Sequence, residues 1–384
     1  MSGRTVYLCD WLPPDFGAVG QYALAAAREL ARGGRLVTLA GLSSRGDAVA
    51  EERVGSGRLT VVRLATDAYD RADLRARAGW TLRTNLRLLA ASWGALRRAD
   101  EVVFTGSPPF LIHLLMPLAP LLRAKLVYRI TDFHPECLIA ELGRAPLWLR
   151  ALRRWTVFLR RRVDRFEVLG EDQRRRLLEI GIRPDRIELA RDDSPVEIGP
   201  DTRPLARPSP LQGRSVLLYS GNFGVAHEDA TFVAGYRRHH VSGSGRVVLW
   251  LNATGARADR VEAALRAEGL PVHRTRPVPI EELAALLAAP DAHLITLRDE
   301  FVGYVLPSKV YGCIRSGRPV LFLGSAASDV DLLCRERMPA ESYRRVAVGD
   351  VEGVAAALEE IAARGGSTAG AAISSGIRDP APLR

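Results

Sequence analysis

The chain has 384 residues, of which 47% are hydrophobic and 26% charged, the balance of a globular protein long enough to organise two cores. Its formal net charge is +10, and its four cysteines (Cys9, Cys137, Cys313, Cys334) are scattered without CxxC or zinc spacing, which fits a reducing compartment and buried thiols. No apolar run reaches membrane-spanning length: the nearest, 110–122, is short and broken by Pro117 and Pro120. The sequence opens directly on a strand with no signal-peptide pattern, so a cytoplasmic protein is expected.

Strand-like runs at 5–9, 36–40, 59–64, 101–105, 126–130 and 166–169 alternate with helical stretches. One of these is 21–32, where Tyr22, Ala25, Ala26 and Leu30 share a face. Residues 191–212 contain five prolines and no apolar periodicity, the composition of a linker. Alternation then resumes, with strands at 216–219, 247–251, 272–273, 293–296 and 320–323 and helices such as 280–288 and 351–364. Two successive parallel α/β units imply two Rossmann-like, doubly wound domains facing a cleft. The expected layout is 1–190, a linker at 191–212, 213–364, and a flexible Gly/Ser/Ala/Pro-rich tail at 365–384.

The loop after the first strand carries Gly17-Ala18-Val19-Gly20, whose glycines let backbone approach a ligand at a helix mouth. An ordinary strand–helix turn reads the same way. It lacks GxGxxG spacing, and no acid closes a second strand in the expected way, which argues against a nicotinamide dinucleotide. Asp132-Phe133-His134-Pro135-Glu136 follows the strand at 126–130, at the end where parallel sheets place ligands. There Asp132 and His134 offer polar contacts, while Glu136 or Asp132 could equally cap the helix that follows. In the second half, 220–228 (SGNFGVAHE) is the matching strand–loop–helix, with Gly221, Asn222 and Gly224 near a ligand and His227 readable as a surface residue.

Between Arg144 and Arg191 fourteen arginines stand against seven acids. Within that span 147–166 reads as a basic amphipathic helix, with Trp148, Leu152, Trp155, Leu159, Val163 and Phe166 in one stripe and arginines across from it. Such a helix suits an anionic lipid surface, or simply docks on its own domain with a solvated face. Residues 80–98 repeat the theme with Leu82, Leu86, Leu89 and Trp93. No nucleic-acid module or stacking platform accompanies the arginines, so nucleic acid is not an expected partner.

The most informative stretch is 305–324, VLPSKVYGCIRSGRPVLFLG. Pro307-Ser308-Lys309 opens a helix and Gly317 closes it ahead of an apolar strand, a helix mouth suited to phosphate. Among 54 basic residues only Lys125 and Lys309 are lysine, so a compact ammonium at that mouth is an unusual choice and a good partner for a diphosphate.

Taken together, PPDFGAVGQYA, TGSPPF, ITDFHPE, YSGNFGVAHE and VLPSKVYG…SGRPV resemble, in order, the bacterial GT-B glycosyltransferases of glycosyltransferase family 4, the branch that builds polysaccharides and glycoconjugates. The resemblance implies a retaining hexosyl- or N-acetylhexosaminyl-transferase that uses a nucleotide-diphosphate sugar, most often UDP-linked, without a bound metal or cofactor. It implies that Gly221, Asn222 and Gly224 border the diphosphate and that the backbone near Val278 meets the base. Tyr304, Pro307, Ser308 and Lys309 would meet the sugar and phosphates, Gly17 and Gly20 the phosphates or acceptor, and Asp132 and His134 the sugar. The acceptor would be a glycan or lipid-linked glycan, with peripheral contact at the inner face of an anionic membrane. One departure is that Gly312 stands where many relatives carry a ribose-binding glutamate, with Tyr304 at the partner position and Glu300 out of register. Some relatives of the PSK type share that glycine. The alternatives are a nucleotide-sugar epimerase on the same fold and a non-catalytic binding paralogue.

Overall fold

The structure, a computed structural model, describes residues 3–15, 17–67 and 74–365. Phe16 and the tail expected to be flexible beyond residue 365 lie outside the described residues. The chain divides into two compact units: residues 1–191 with 303–305, and 192–302 with the chain from Leu306 onward.

The first unit begins β1 (Arg4–Trp11), α1 (Ala18–Arg32), β2 (Leu36–Ser43), β3 (Ala48–Val54), β4 (Gly57–Ala65), α2 (Leu74–Leu96) and β5 (Glu101–Thr105). It continues with α3 (Leu111–Leu118), β6 (Lys125–Ile130), α4 (Glu136–Leu142), α5 (Leu147–Arg160), β7 (Arg165–Val168), α6 (Glu171–Glu179) and β8 (Ile187–Leu189). The eight strands run β3-β4-β2-β1-β5-β6-β7-β8, parallel apart from the antiparallel edge strand β3. Successive side chains of β1 point to opposite faces, as the pleat requires. Val6 and Leu8 join Phe104, Tyr128 and Phe166 under α2, α3 and α5. Tyr7 and Cys9 lie on the other side, under α1, whose Ala23, Ala27 and Ala31 recur at helical spacing. α1 packs so closely that a Cβ at Gly20 would lie 1.8 Å from the Trp11 carbonyl oxygen.

The edge strands β3 and β8 escape a reading by apolar runs because AVAEERV and IEL are half polar. The stripe expected over 147–166 spans two elements: α5 stops at Arg160, and Val163 and Phe166 are core residues on the way into β7. Leu159 faces the core, while Trp148 and Trp155 point outward.

The second unit is built from β9 (Ser215–Asn222), α7 (Ala230–Ser242), β10 (Val247–Thr254), α8 (Ala256–Ala267), β11 (Val272–Thr275), α9 (Ile280–Ala288) and β12 (Ala292–Thr296). α10 (Lys309–Arg315), β13 (Val320–Leu323), α11 (Asp329–Arg337), β14 (Tyr343–Val346) and α12 (Val351–Gly365) complete it. The order β11-β10-β9-β12-β13-β14 is the doubly wound 3-2-1-4-5-6 arrangement, which reverses between β9 and β12. Segment 192–212 packs on this unit. The Leu205 N–H donates to the Ala285 carbonyl at 2.8 Å, Arg207 pairs with Asp291 at 2.9 Å, and Leu211 is buried beside Trp250.

α4 and α5 are joined by a buried ion pair. Arg160 donates to both oxygens of Glu136 at 2.8 and 3.1 Å, donates to the His134 carbonyl at 2.9 Å, and lies 5.0 Å from the Phe133 ring centre. The guanidinium outweighs the burial of Glu136 and holds its carboxyl below the ordinary value. Removing one partner of such a pair strands the other charge. Arg160→Leu should therefore cost about 3–5 kcal/mol in urea unfolding, and the double substitution Arg160→Leu/Glu136→Leu should recover most of that loss.

Candidate functional site

In the second unit the carboxyl end of β9 turns through Gly221, whose φ of +110° lies in the region glycine adopts without strain. Phe223 then folds back so that its ring stacks on Tyr219, with centroids 4.0 Å apart and planes at 13°. The loop is tied to its neighbours. The Phe223 N–H donates to the Thr254 carbonyl at 2.7 Å, and the Arg298 N–H donates to the Ala226 carbonyl at 2.9 Å. Gly224 lies beside the Asn222 side chain, and a Cβ there would come within 3.2 Å of its amide nitrogen. Gly255, with φ +105°, leaves the space the Asn222 side chain needs.

His227 is buried at the end of this loop. Its Nδ1 donates to the Thr296 carbonyl at 2.7 Å, and its ring stands edge-on to Tyr219 and Phe223. Burial, and then the charge of Lys309, push its pKa down to about 3, so the imidazole is neutral at physiological pH and Nε2 carries a lone pair.

Lys309 is the first residue of α10. Its stem is partly exposed, but its Nζ is buried, has no hydrogen-bond partner among the described residues, and sits 3.2 Å from the Tyr219 ring centre. Burial holds its pKa well below the ordinary lysine value, opposed only by Cys313 one turn further on. The first backbone donors of α10 are already engaged: Val310 N–H reaches the Pro307 carbonyl at 3.1 Å and Tyr311 N–H the Ser308 carbonyl at 3.3 Å. Pro307 is buried, and Ser308 makes no side-chain cap.

Val278 follows β11 in a loop pinned by Asn252, whose amide donates to Thr275 Oγ1 at 2.9 Å and to the Arg276 carbonyl at 2.6 Å. Its side chain packs with the Trp250 cluster. Gly312 is buried, and a Cβ there would lie 2.9 Å from Leu287 Cδ1, so a glutamate at this position would have to displace that leucine.

Asp132 and His134 belong to the first unit, at the carboxyl end of β6. Asp132 forms an isolated antiparallel bridge with Val305, and the Phe133 N–H donates to the Tyr304 carbonyl at 3.0 Å. Tyr304 packs on Phe133 with Arg176 4.7 Å from its ring centre. Burial, then the charge of Asp10, raise the Asp132 pKa to about 6 against a smaller lowering by Thr131. Asp10 accepts the Ser107 hydroxyl at 2.6 Å, so β1, β5 and β6 each send a polar group to this edge. His134 has its pKa lowered to about 4 by burial and then Arg77, and its ring is 5.7 Å from Phe110. Gly17 precedes α1 in extended backbone, and the close contact between Gly20 and Trp11 accounts for the second glycine by packing.

The structure thus gathers Gly221, Asn222, Gly224 and Lys309 in one unit, and Asp132, His134 and Tyr304 in the other. It adds Tyr219, Asp10 and Ser107, which spacing alone did not single out, and corrects His227, which reads from the sequence as a surface residue but is buried. Their signal was weak: Asp10 and Ser107 are 97 positions apart, and His227 and Tyr219 matter because they are buried against Lys309. Among the described residues no three His, Cys, Asp or Glu side chains group to hold a metal ion, and the four cysteines are free and buried.

No protein-family model matches the chain. Over 247 residues it is 24% identical to the probable glycosyltransferase WbjE of Pseudomonas aeruginosa, a match that spans 62% of this chain and 61% of that protein. Among solved structures, trehalose-6-phosphate from E. coli bound with UDP-2-fluoro glucose superposes with a TM-score of 0.62 at 13% identity, covering 94% of this chain and 91% of that one. The α,α-trehalose-phosphate synthase (UDP-forming) of Burkholderia vietnamiensis gives 0.61 at 14%, covering 94% and 90%. WaaG, a glycosyltransferase involved in lipopolysaccharide biosynthesis, gives 0.59 at 15%, covering 94% and 91%. The chain has the GT-B fold of two Rossmann-like α/β domains.

Proposed function

We propose that the protein is a retaining glycosyltransferase of family 4 type that moves a hexosyl or N-acetylhexosaminyl group from a UDP-linked donor to a glycan or lipid-linked glycan. The observation that carries this reading is Lys309: a buried amine without a hydrogen-bond partner, over the Tyr219 ring, at the end of the sheet where doubly wound folds take ligands. A diphosphate would complete an ion pair that the protein leaves half made. Of similar folds, one is described with UDP-2-fluoro glucose and a trehalose-6-phosphate synthase is described as transferring with retention.

In this mechanism the bond from the anomeric carbon to the diphosphate breaks while a bond to the acceptor oxygen forms on the same face. Lys309 stabilises the charge that grows on the leaving diphosphate. The acceptor proton passes to a leaving phosphate oxygen, so no strong protein base is needed. Gly221, Asn222 and Gly224 border the diphosphate, Ser308 and Pro307 shape its approach, and the backbone near Val278 meets the base. Asp132 and His134 bind sugar hydroxyls, the first as an acceptor when ionised and the second through a neutral imidazole. Tyr304 borders the sugar, and Gly17 faces the acceptor. An acceptor on a lipid carrier would bring the enzyme to a membrane surface.

The test is a thermal-shift panel of nucleotide sugars, followed by incubation of the preferred donor with and without acceptor. A UDP-sugar should raise the melting temperature, and release of UDP should depend on acceptor. Conversion of the donor without acceptor would instead identify an epimerase, and binding with neither transfer nor hydrolysis a non-catalytic protein.

Lys309→Met should act with opposite signs on activity and stability. Turnover should fall at least about tenfold, since a charge that meets the leaving group is lost. Because burial lowers the lysine pKa in the folded state, the fold disfavours the ammonium. Stability should therefore rise with pH between that depressed value and the ordinary ~10.4. The methionine variant should melt higher than the wild type at neutral pH, lose that pH dependence, and gain nothing from the donor. A variant that melts higher but turns over normally removes Lys309 from the mechanism.

Asp132 gives a second signature. With its pKa near 6, turnover should rise as pH passes through that value, and Asp132→Asn should abolish the inflection along with much of the rate. The folded state prefers the protonated acid, so the asparagine variant should be no less stable than the wild type at neutral pH. A pH–rate profile with its inflection intact would exclude the residue from the reaction.

A further inference from the structure

Among the described residues, every exposed aromatic side chain lies on a single helix, α5: Trp148 is 56% exposed, Trp155 49% and Phe158 43%. Leu147, at 82%, joins them. At 3.6 residues per turn these four side chains and Ala151 fall within an arc of roughly 100°, a continuous apolar stripe. The opposite side of the helix is the one that packs, through the buried Leu149, Thr156, Leu159 and Arg160. The stripe is ordered: the Trp155 and Phe158 rings stack at 5.2 Å, and the Arg162 guanidinium covers Phe158 at 3.4 Å from its centre.

Its border is cationic. Arg150, Arg154, Arg161 and Arg162 are exposed, and among the described residues none of them is paired with a carboxylate. Arg150, Arg161 and Arg162 donate only to backbone carbonyls, of Ala145, Ile180 and Phe158. Many other arginines of the first unit do find acids, as Arg165 does with Glu188 and Arg129 with Glu167. Four uncompensated guanidiniums around an exposed aromatic stripe are therefore a local property of α5.

We infer that the outer face of α5 is a docking surface for an anionic phospholipid bilayer, with the aromatic rings in the headgroup–acyl boundary and the arginines on the phosphates. Amphipathic aromatic rings suit that boundary, and arginine bridges phosphates bidentately while its stem lies on apolar groups. Self-association through this face would set like charges opposite one another, which disfavours a second copy as the occupant. Among the described residues no helix is long and apolar enough to cross a membrane, so the attachment is peripheral. The surface goes beyond the proposed sugar transfer and does not depend on it.

Vesicles of phosphatidylcholine with and without phosphatidylglycerol separate the contributions in a sedimentation assay. The full chain should sediment with the anionic vesicles, not with the neutral ones, and should be released by high salt. The substitutions Trp148→Ser/Trp155→Ser, and separately Arg150→Gln/Arg154→Gln, should each lower the vesicle partition coefficient at least about tenfold. Both variants should keep the circular dichroism of the wild type and its response to nucleotide sugars. Absence of binding to anionic vesicles, or binding untouched by both pairs of substitutions, would overturn the inference. So would a dimer in light scattering that the tryptophan pair abolishes, since that assigns the face to a second copy. Absence of vesicle binding by the unsubstituted chain with transfer intact refutes the docking surface alone, and its binding to vesicles without transfer refutes only the enzymatic reading.

Discussion

The guanidinium of Arg160 is the contact on which the Asp132–Glu136 edge of the first unit depends. It engages Glu136 at the start of α4, the carbonyl of His134 in the loop after β6, and the ring of Phe133. Three segments thereby share one charge. Deep burial of a lone ion costs several kcal/mol, so these partners are mutually obligatory rather than incidental. The loop with Asp132 and His134 therefore takes its shape from the same cation that roots α5. Arg160 is the buried end of a helix whose other arginines face outward.

Much of this was legible in the sequence because the strands of a parallel sheet are apolar runs buried on both faces. β5 and β13 occupy the residues their apolar runs mark. The strands that escaped are edges with polar faces: β3 reads AVAEERV and β14 reads YRRV. The helical stripe drawn through Trp148, Leu159, Val163 and Phe166 fails for a different reason. A period of 3.6 persists across a helix end as long as apolar residues happen to continue, and nothing in 147–166 marks the stop at Arg160. The stripe on the solvent side was there too, in Leu147, Trp148, Trp155 and Phe158, but only packing separates it from the one that faces the core.

Site residues divide in the same manner. The glycines and Lys309, one of only two lysines, were visible by their type, and their places in loops after strands follow from the fold. Asp10, Ser107 and Tyr219 were not visible, and His227 reads as a surface residue, since their places come from long-range packing around Asp132 and Lys309. The GT-B fold itself persists at 13–15% identity in the structures compared, which shows that pattern rather than residue identity specifies the architecture. That is why chemistry must be argued from the side chains themselves.

Lysine 309 gains its meaning from the composition around it. In a chain with 54 basic residues and only two lysines, the cationic default is a guanidinium, which keeps its proton at any pH a cell reaches. An arginine in the cage formed by Tyr219 and His227 would carry a permanent charge and would need a permanent counter-ion to stay folded. An amine responds to its surroundings instead, and burial holds the Lys309 pKa well below the ordinary lysine value. Position 309 therefore buries, beside the Tyr219 ring, a cation whose charge burial can weaken, where an arginine would have to be buried fully charged.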